Sequence, residues 1–256
     1  MDARWLWLSK SVGSKRVPLE LIAACAIVMA GAILQGSVGF GLGMLAAPLL
    51  VLIDPSLVPA PLLLAAFALT LLVAFSERAS IDLKGIGWAL IGRVPGTFIG
   101  AATLAVASQD ATTVLVGIIV FVAIGLIGSG VNLSRTPRVL FFAGTLSGFM
   151  GTTTSIGGPP IAALYHNAPG AEIRGTMASF FVVGLVVTLS ALAFVGRLGL
   201  DELYAGAFLL PGVLAGFAIS RRIAPILDRG YTRAAVLTVS ALAGLSVIVQ
   251  VLVKSS

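Results

Sequence analysis

The segment Gly148–Pro160 combines residue types that can bind an anion without carrying a charge. Its glycines allow the backbone to unwind, and a proline is well tolerated in the first turn of the helix that would follow. The free N–H groups of that turn, together with neighbouring hydroxyl groups, would point into the unwound stretch and favour negative charge there. We predict that this half of an anion site consists of Gly148, Gly151, Thr152, Thr153, Thr154, Ser155, Gly157, Gly158 and Pro159.

A second glycine-rich stretch, earlier in the chain, would supply the facing half of the site. It leads to Pro48 as the later stretch leads to Pro160. Its candidate residues are Gln35, Gly36, Ser37, Gly39, Gly41 and Gly43. A purely structural interpretation is also open, in which the glycines only allow helices to pack closely and the hydroxyls donate to carbonyl groups of the preceding turn. Because the two stretches occupy matched positions, we favour a binding site.

Arg93 is the charged residue that lies deepest in an apolar segment. It follows Lys84 by nine residues, which is roughly 10–13 Å along a helix. An arginine at membrane depth is costly and is a candidate substrate ligand, whereas a side chain that reaches back to the interface is only an anchor. Both interpretations are open for Arg93. We expect Arg174, after the second glycine-rich stretch, to be an interfacial anchor, with guidance of an anion as the alternative.

The single histidine and the acidic residues bear on coupling and on the charge of the substrate. His166 lies at the end of the second glycine-rich element, where it is a candidate for proton coupling or a polar cap. No Asp or Glu falls inside an apolar segment, although carriers of cations usually keep carboxylates there. Beside Arg93, this predicts a small anionic substrate. We expect no catalytic residue, no metal site and no cofactor.

The elements that position these residues are apolar enough for a lipid bilayer. The chain is 58% hydrophobic and 10% charged, with a mean hydropathy of +1.09, whereas soluble domains carry about 25% charged residues. Its net charge of +6 comes from basic residues between apolar segments, so we expect it to set orientation and not to bind nucleic acid. Cys25 is expected to be a packing residue. We predict a single all-α membrane domain over residues 1–256.

Eight apolar segments are candidates for transmembrane elements, the third of them extended back to about residue 86. They are 21–53, 55–76, 94–109, 111–134, 139–171, 175–196, 203–220 and 234–253. As continuous helices the first and the fifth would be about 50 Å long, against a hydrocarbon core of roughly 30 Å. Since glycines interrupt both near the middle, we predict that each is a broken helix.

Matching motifs indicate an internal repeat. A shift of 112 residues superimposes the glycines and the proline of the two glycine-rich stretches, and a shift of 116 superimposes the Pro-Gly-x-x-x-Gly motif at Pro95 on its copy at Pro211. We predict two four-helix repeats, residues 17–131 and 138–253, each beginning with a broken helix. Eight crossings would place the arginine-rich loop 221–233 outside, against the positive-inside rule, so the orientation of the second half stays open.

This layout resembles the TauE/SafE family, also called the toluene sulfonate uptake permeases. The resemblance rests on Gly31–Pro48, with Gly-Ser-Val-Gly-Phe-Gly-Leu-Gly, and on Gly144–Pro160, with Gly-Phe-Met-Gly-Thr-Thr-Thr-Ser-Ile-Gly-Gly-Pro-Pro. The paired arrangement covers nearly the whole chain. The resemblance implies secondary transport of sulfur-containing anions, such as sulfite, sulfoacetate or other organosulfonates, in a bacterial inner membrane. It does not imply a direction, a coupling ion or an oligomeric state.

The residues and the resemblance together favour a carrier that works by alternating access, in which two halves rock around a site at the membrane midplane. A coupling proton or ion is a candidate partner. The alternatives are a passive anion channel and a membrane protein without transport activity. An intramembrane hydrolase is disfavoured, because Ser155 and His166 share one short segment and lack an acid to orient them.

Overall fold

The computed structural model describes residues 16–128, 134–165 and 167–227, except for the side chains of residues 16–19, 84 and 85. Within these ranges the regular secondary structure is helical. The α-helices there are α1 (Arg16–Val38), α2 (Leu42–Ile53), α3 (Ala60–Ser76), α4 (Leu83–Val106), α5 (Gln109–Gly128), α6 (Pro137–Thr154), α7 (Pro159–Tyr165), α8 (Gly170–Phe194) and α9 (Leu200–Leu227). Short 3-10 helices, Pro55–Leu57 and Arg78–Ser80, lie on either side of α3.

Five of these helices, α1, α4, α5, α8 and α9, are long and apolar enough to cross a membrane. Their outward surfaces carry large apolar side chains, such as Phe98 on α4, which is 57% exposed, and Ile118 on α5, which is 55% exposed. Such surfaces are suited to hydrocarbon, in which a helix satisfies all of its own backbone hydrogen bonds.

The first glycine-rich stretch forms a helical hairpin. Between α1 and α2, Gly39 and Gly41 adopt positive φ angles of 104° and 122°. Glycine adopts such angles readily because it has no Cβ atom. The chain then reverses, so that Leu42 packs against Gly31 and α2 runs back along α1.

The second glycine-rich stretch forms another hairpin, from α6 and α7. Ser155, with a φ of 65°, ends α6, and Ser147 donates a hydrogen bond of 2.5 Å to the carbonyl oxygen of Gly157, which holds the turn against α6. The short α7 brings the chain back toward the start of the hairpin. There Arg135, just before α6, donates from Nε to the carbonyl oxygen of Leu164 at 3.0 Å.

Two polar contacts define the ends of the helix bundle. At the end that we call face I, the Tyr165 hydroxyl donates to the carboxylate of Asp82, just before α4, at 3.2 Å. At the opposite end, face II, Arg197 between α8 and α9 donates to the carbonyl oxygen of Ala107 at 2.7 Å. Helix α4 therefore begins at face I and ends at face II, and α9 begins at face II.

The two hairpins enter the bundle from opposite faces. The second hairpin begins and ends at face I, beside Tyr165. The first begins at face II, because α1 lies parallel to α9, with Cys25 against Gly212 and Ala32 against Gly216.

The turns of the hairpins contact each other inside the bundle. A Cβ atom at Gly43 would overlap the carbonyl oxygen of Ser155, and one at Gly158 would lie 2.9 Å from the Cβ atom of Phe40. Only glycine permits so close an approach of two backbones. At the junction, Gly43 therefore lies directly against the backbone of Ser155, and the side chain of Phe40 packs on Gly158.

The eight transmembrane elements that we expected from the sequence stay a prediction. Both broken elements reverse direction after the break, the first at Gly39 and Gly41, which have positive φ angles, and the second at Ser155, whose φ is 65°. A pattern of apolar residues does not reveal such a reversal. In the described ranges α4, α5, α8 and α9 run from one face to the other, and so does α3, which passes Gly206 near the start of α9 and ends beside Arg174. The last predicted element, 234–253, lies outside the described residues.

Candidate functional site

The side chain of Arg93 is buried at the centre of the bundle. It is 2% exposed, and its Nη1 donates to the hydroxyl of Ser147 at 3.2 Å. Its Cζ atom lies 4.8 Å from the ring centroid of Phe180 and 5.6 Å from that of Phe181. A cation beside an aromatic face is stabilised by the quadrupole of the ring. Arg93 is therefore a buried residue of the core and not an interfacial anchor.

Arg93 has no negatively charged partner in the part of the chain that the structure describes. Its Nε atom is buried without an acceptor there. The ion pairs in this part of the chain belong to Arg135 and Arg174. A buried charge without a partner is strongly destabilising. The guanidinium of Arg93 is therefore suited to bind an anion reversibly.

A cavity of about 30 Å³ lies beside Arg93, at the junction of the hairpin turns. We call it the central cavity. Its lining includes nine of the predicted site residues, Gln35, Gly41, Gly43, Arg93, Gly151, Ser155, Gly157, Gly158 and Pro159. Such a volume holds about one or two water molecules. A sulfonate group would need more room than this.

Neutral hydrogen-bond donors surround the guanidinium. The first turn of α2, a helix of 12 residues, borders the central cavity at Gly43, and the N-terminus of a helix favours an anion. The side-chain oxygen of Gln35 accepts from the N–H of Leu42 at 3.2 Å, which leaves the NH₂ group of Gln35 as a donor. The N–H groups of Gly157 and Gly158 donate to no other group within the described ranges.

The remaining predicted residues of α6 do not line the central cavity. Thr153 and Thr154 each donate at 2.8 Å to a carbonyl oxygen one turn earlier in α6. The hydroxyl of Thr152 lies 3.4 Å from that of Thr188 on α8. A Cβ atom at Gly148 would overlap the backbone of α4, so this glycine allows α6 to pack against α4. The contacts of these four residues are those of the alternative that we left open, in which the glycines allow close helix packing and the hydroxyls bond within the bundle.

Gly36, Ser37 and Gly39 also lie away from the central cavity. Ser37 donates to the carbonyl oxygen of Ser220 on α9 at 3.5 Å. Gly36 lines a second cavity, and Gly39 packs against the backbone of Arg174. His166 lies outside the described residues.

Four residues around Arg93 were missing from the sequence prediction, namely Ser147, Phe180, Phe181 and Gly184. Gly184 is essential to the geometry, because a Cβ atom there would overlap Nε of Arg93. The sequence holds a weak signal, since Gly184 follows the two phenylalanines by about one helical turn. Only the packing of α8 against α4 shows what this spacing accommodates.

A bundle of apolar helices around a buried arginine and a small central cavity is an architecture suited to an integral membrane transporter. Residues 23–247 match the family described as Sulfite exporter TauE/SafE, and the chain belongs to this family. It is 26% identical to the probable sulfite/organosulfonate exporter TauE of Cupriavidus necator, over 84% of this chain and 88% of that relative. No solved structure matches the chain. The family predicted from the sequence is thereby confirmed.

Proposed function

We propose that this protein is a secondary transporter that moves small sulfur-containing anions, such as sulfite, sulfoacetate or other organosulfonates, by alternating access around the central cavity. The observation that carries the proposal is the guanidinium of Arg93, which is buried beside the cavity without a carboxylate from the described residues. A guanidinium presents parallel N–H donors that match two oxygens of a sulfonate. The relative from Cupriavidus necator is named for sulfite and organosulfonate, which supports the same substrate class.

The two hairpins support alternating access. They enter from opposite faces and meet at the central cavity, so movement of either hairpin would expose the cavity to its own side. Inverted elements around a midplane site are a recurring basis of this mechanism. A coupling proton or ion would drive the cycle, and His166 is the candidate for proton coupling.

The arginines support an orientation in a bacterial inner membrane. Among the described side chains, face I carries Arg78, Arg135, Arg138, Arg174, Arg221 and Arg222, whereas face II carries Arg197. Basic residues concentrate on the cytoplasmic side of membrane proteins. We infer that face I is cytoplasmic, which places Arg221 and Arg222, near the end of α9, with the other basic residues.

Substitution of Arg93 tests the proposed site. Arg93→Lys keeps the charge but loses the fork of donors, so it should weaken binding, and Arg93→Gln should weaken it further. A charge-assisted contact contributes roughly 1.5–3 kcal/mol, which is about ten- to over a hundredfold in affinity. The measurement is the thermal stabilisation of the detergent-solubilised protein during titration with sulfite and with sulfoacetate.

Arg138→Gln, which removes an exposed arginine at face I, is the control and should bind like the wild type. Equal affinities for the wild type and both Arg93 variants would remove Arg93 from the site. Accumulation of sulfite against its gradient in proteoliposomes would exclude a passive channel, and the absence of transport of every sulfur oxyanion would contradict the proposal.

A further inference from the structure

The second cavity has a volume of about 170 Å³ and lies near face I, beside the first hairpin. We call it the outer cavity. It lies between the end of α3, the start of α8 and the last turns of α9, and its charged lining residues are Glu77, Arg174 and Arg221. It holds several water molecules by volume, and therefore has room for a small oxyanion.

The outer cavity and the central cavity lie one behind the other. Gln35 lines the central cavity and its neighbour Gly36 lines the outer one. On α3, Thr70 lines the central cavity and Val73 lines the outer one. Three residues of an α-helix rise about 4.5 Å. The partition between the cavities is therefore about one helical turn thick.

Arg174 is part of this partition. It is 4% exposed, its Nε donates to a carboxylate oxygen of Glu77 at 2.9 Å, and its Nη1 donates to the carbonyl oxygen of Ser37 at 3.4 Å. Its backbone packs against Gly39 in the turn of the first hairpin. One guanidinium thus connects α8, α3 and the hairpin turn, and its release from Glu77 would loosen the contacts among all three.

The charges of the outer cavity favour an anion. Among the described residues that line it, two guanidinium groups and one carboxylate carry charge, and Arg221 is exposed and forms no ion pair with any described residue. A partly enclosed surface with an excess of positive charge raises the local concentration of anions and the rate of their association. The positive charge of the outer cavity therefore favours binding of the anions that we propose as substrates of the central cavity.

We infer that the outer cavity is a second binding site for small sulfur oxyanions, in which Arg221 captures the anion and Arg174 exchanges Glu77 for it. This inference rests on the proposed function. The exchange breaks the Arg174–Glu77 contact, which frees the hairpin turn and connects the outer cavity with the central one. Face I would then be the side at which the anion is collected.

The matched pair Arg221→Gln and Arg222→Gln tests the capture step. Both remove one exposed arginine from α9, but only Arg221 lines the outer cavity. Arg221→Gln should raise the KM for [³⁵S]sulfite by about two- to fivefold, the range typical of an exposed charge, with kcat unchanged. Arg222→Gln should leave both constants unchanged. Transport is measured in proteoliposomes with sulfite added on the side of face I. Equal effects of both variants, or none of either, would overturn the inference.

The double variant Glu77→Arg/Arg174→Glu tests the exchange step. It restores an ion pair with the charges reversed, so a purely structural pair would give normal transport. We expect instead a folded protein with a strongly reduced kcat, because a carboxylate at position 174 repels the anion. If the double variant does not fold, the comparison of Arg221→Gln with Arg222→Gln alone decides whether the outer cavity is a binding site.

The wild type and Arg93→Gln separate this inference from the proposed function. If the wild type neither binds nor transports sulfite or sulfoacetate, the proposed function is wrong. If the wild type transports sulfite and Arg93→Gln does not, while Arg221→Gln and the charge-reversed pair both behave like the wild type, the central site stands and the outer site is refuted.

Discussion

Arg93 and Gly184 are complementary residues on two different helices. The guanidinium occupies the space that a side chain at Gly184 would fill, and it is fixed there by Ser147 and by the two aromatic rings of α8. A ligand group held by several rigid contacts loses little freedom when an anion binds. The orientation of Arg93 therefore depends on Gly184, which has no side chain and leaves the space that the guanidinium occupies.

Gly184→Ala should weaken sulfite binding without removing the charge. The added Cβ atom would overlap Nε of Arg93, so the guanidinium must move. We expect an affinity loss close to that of Arg93→Lys, about tenfold, as for a lost charge-assisted hydrogen bond. The thermal-stabilisation titration measures it. Gly117→Ala on α5, where a Cβ atom meets nothing within 4 Å, is the control. Wild-type affinity in Gly184→Ala would show that Arg93 adapts freely.

The hairpins are the elements for which sequence and structure can best be compared. The glycine pattern located both helix breaks, and nine of the predicted residues line the central cavity. The pattern could not give the direction of the chain after each break, because this depends on backbone φ angles, at Gly39 and Gly41 in the first hairpin and at Ser155 in the second. It also could not show that the hydroxyls of Thr153 and Thr154 donate to carbonyl groups one turn earlier, an option that a hydroxyl has in any helix.

The hairpin turns predict graded effects of substitution at Gly151. A Cβ atom there would lie 3.3 Å from Cα of Gly157 and 3.6 Å from Nη2 of Arg93, so Gly151→Ala should retain most transport. Gly151→Val should abolish uptake of [³⁵S]sulfite, because its branches would enter the cavity. Gly39→Val should also abolish it, since a φ of 104° is unfavourable for valine.

The measurement for these variants is uptake into proteoliposomes, with the amount of protein in the membrane determined in parallel. Gly125→Val is the control, because position 125 faces open space. Normal uptake by Gly151→Val and Gly39→Val would assign these glycines to packing alone.

At the scale of the whole molecule, the two faces differ in charge, and this predicts how the protein lies in its membrane. In a Cys25→Ala background, which removes the single native cysteine, Arg138→Cys reports face I and Ser108→Cys reports face II. A membrane-impermeant maleimide should label Ser108→Cys in intact cells and Arg138→Cys only in inside-out vesicles. The opposite pattern would place face I outside.

The charge of Arg93 also has an electrical consequence for the alternating-access cycle that we propose. With a monovalent sulfonate bound, the positive charge of Arg93 is compensated, and the loaded protein can change conformation with no net charge in the central cavity. Empty, the same site carries an uncompensated charge at membrane depth, where charge is costly and responds to the membrane potential. On this proposal we expect the return of the empty protein to be the slow, voltage-sensitive half of the cycle. An anion on the opposite side would accelerate it, so the protein would exchange anions faster than it moves them in one direction.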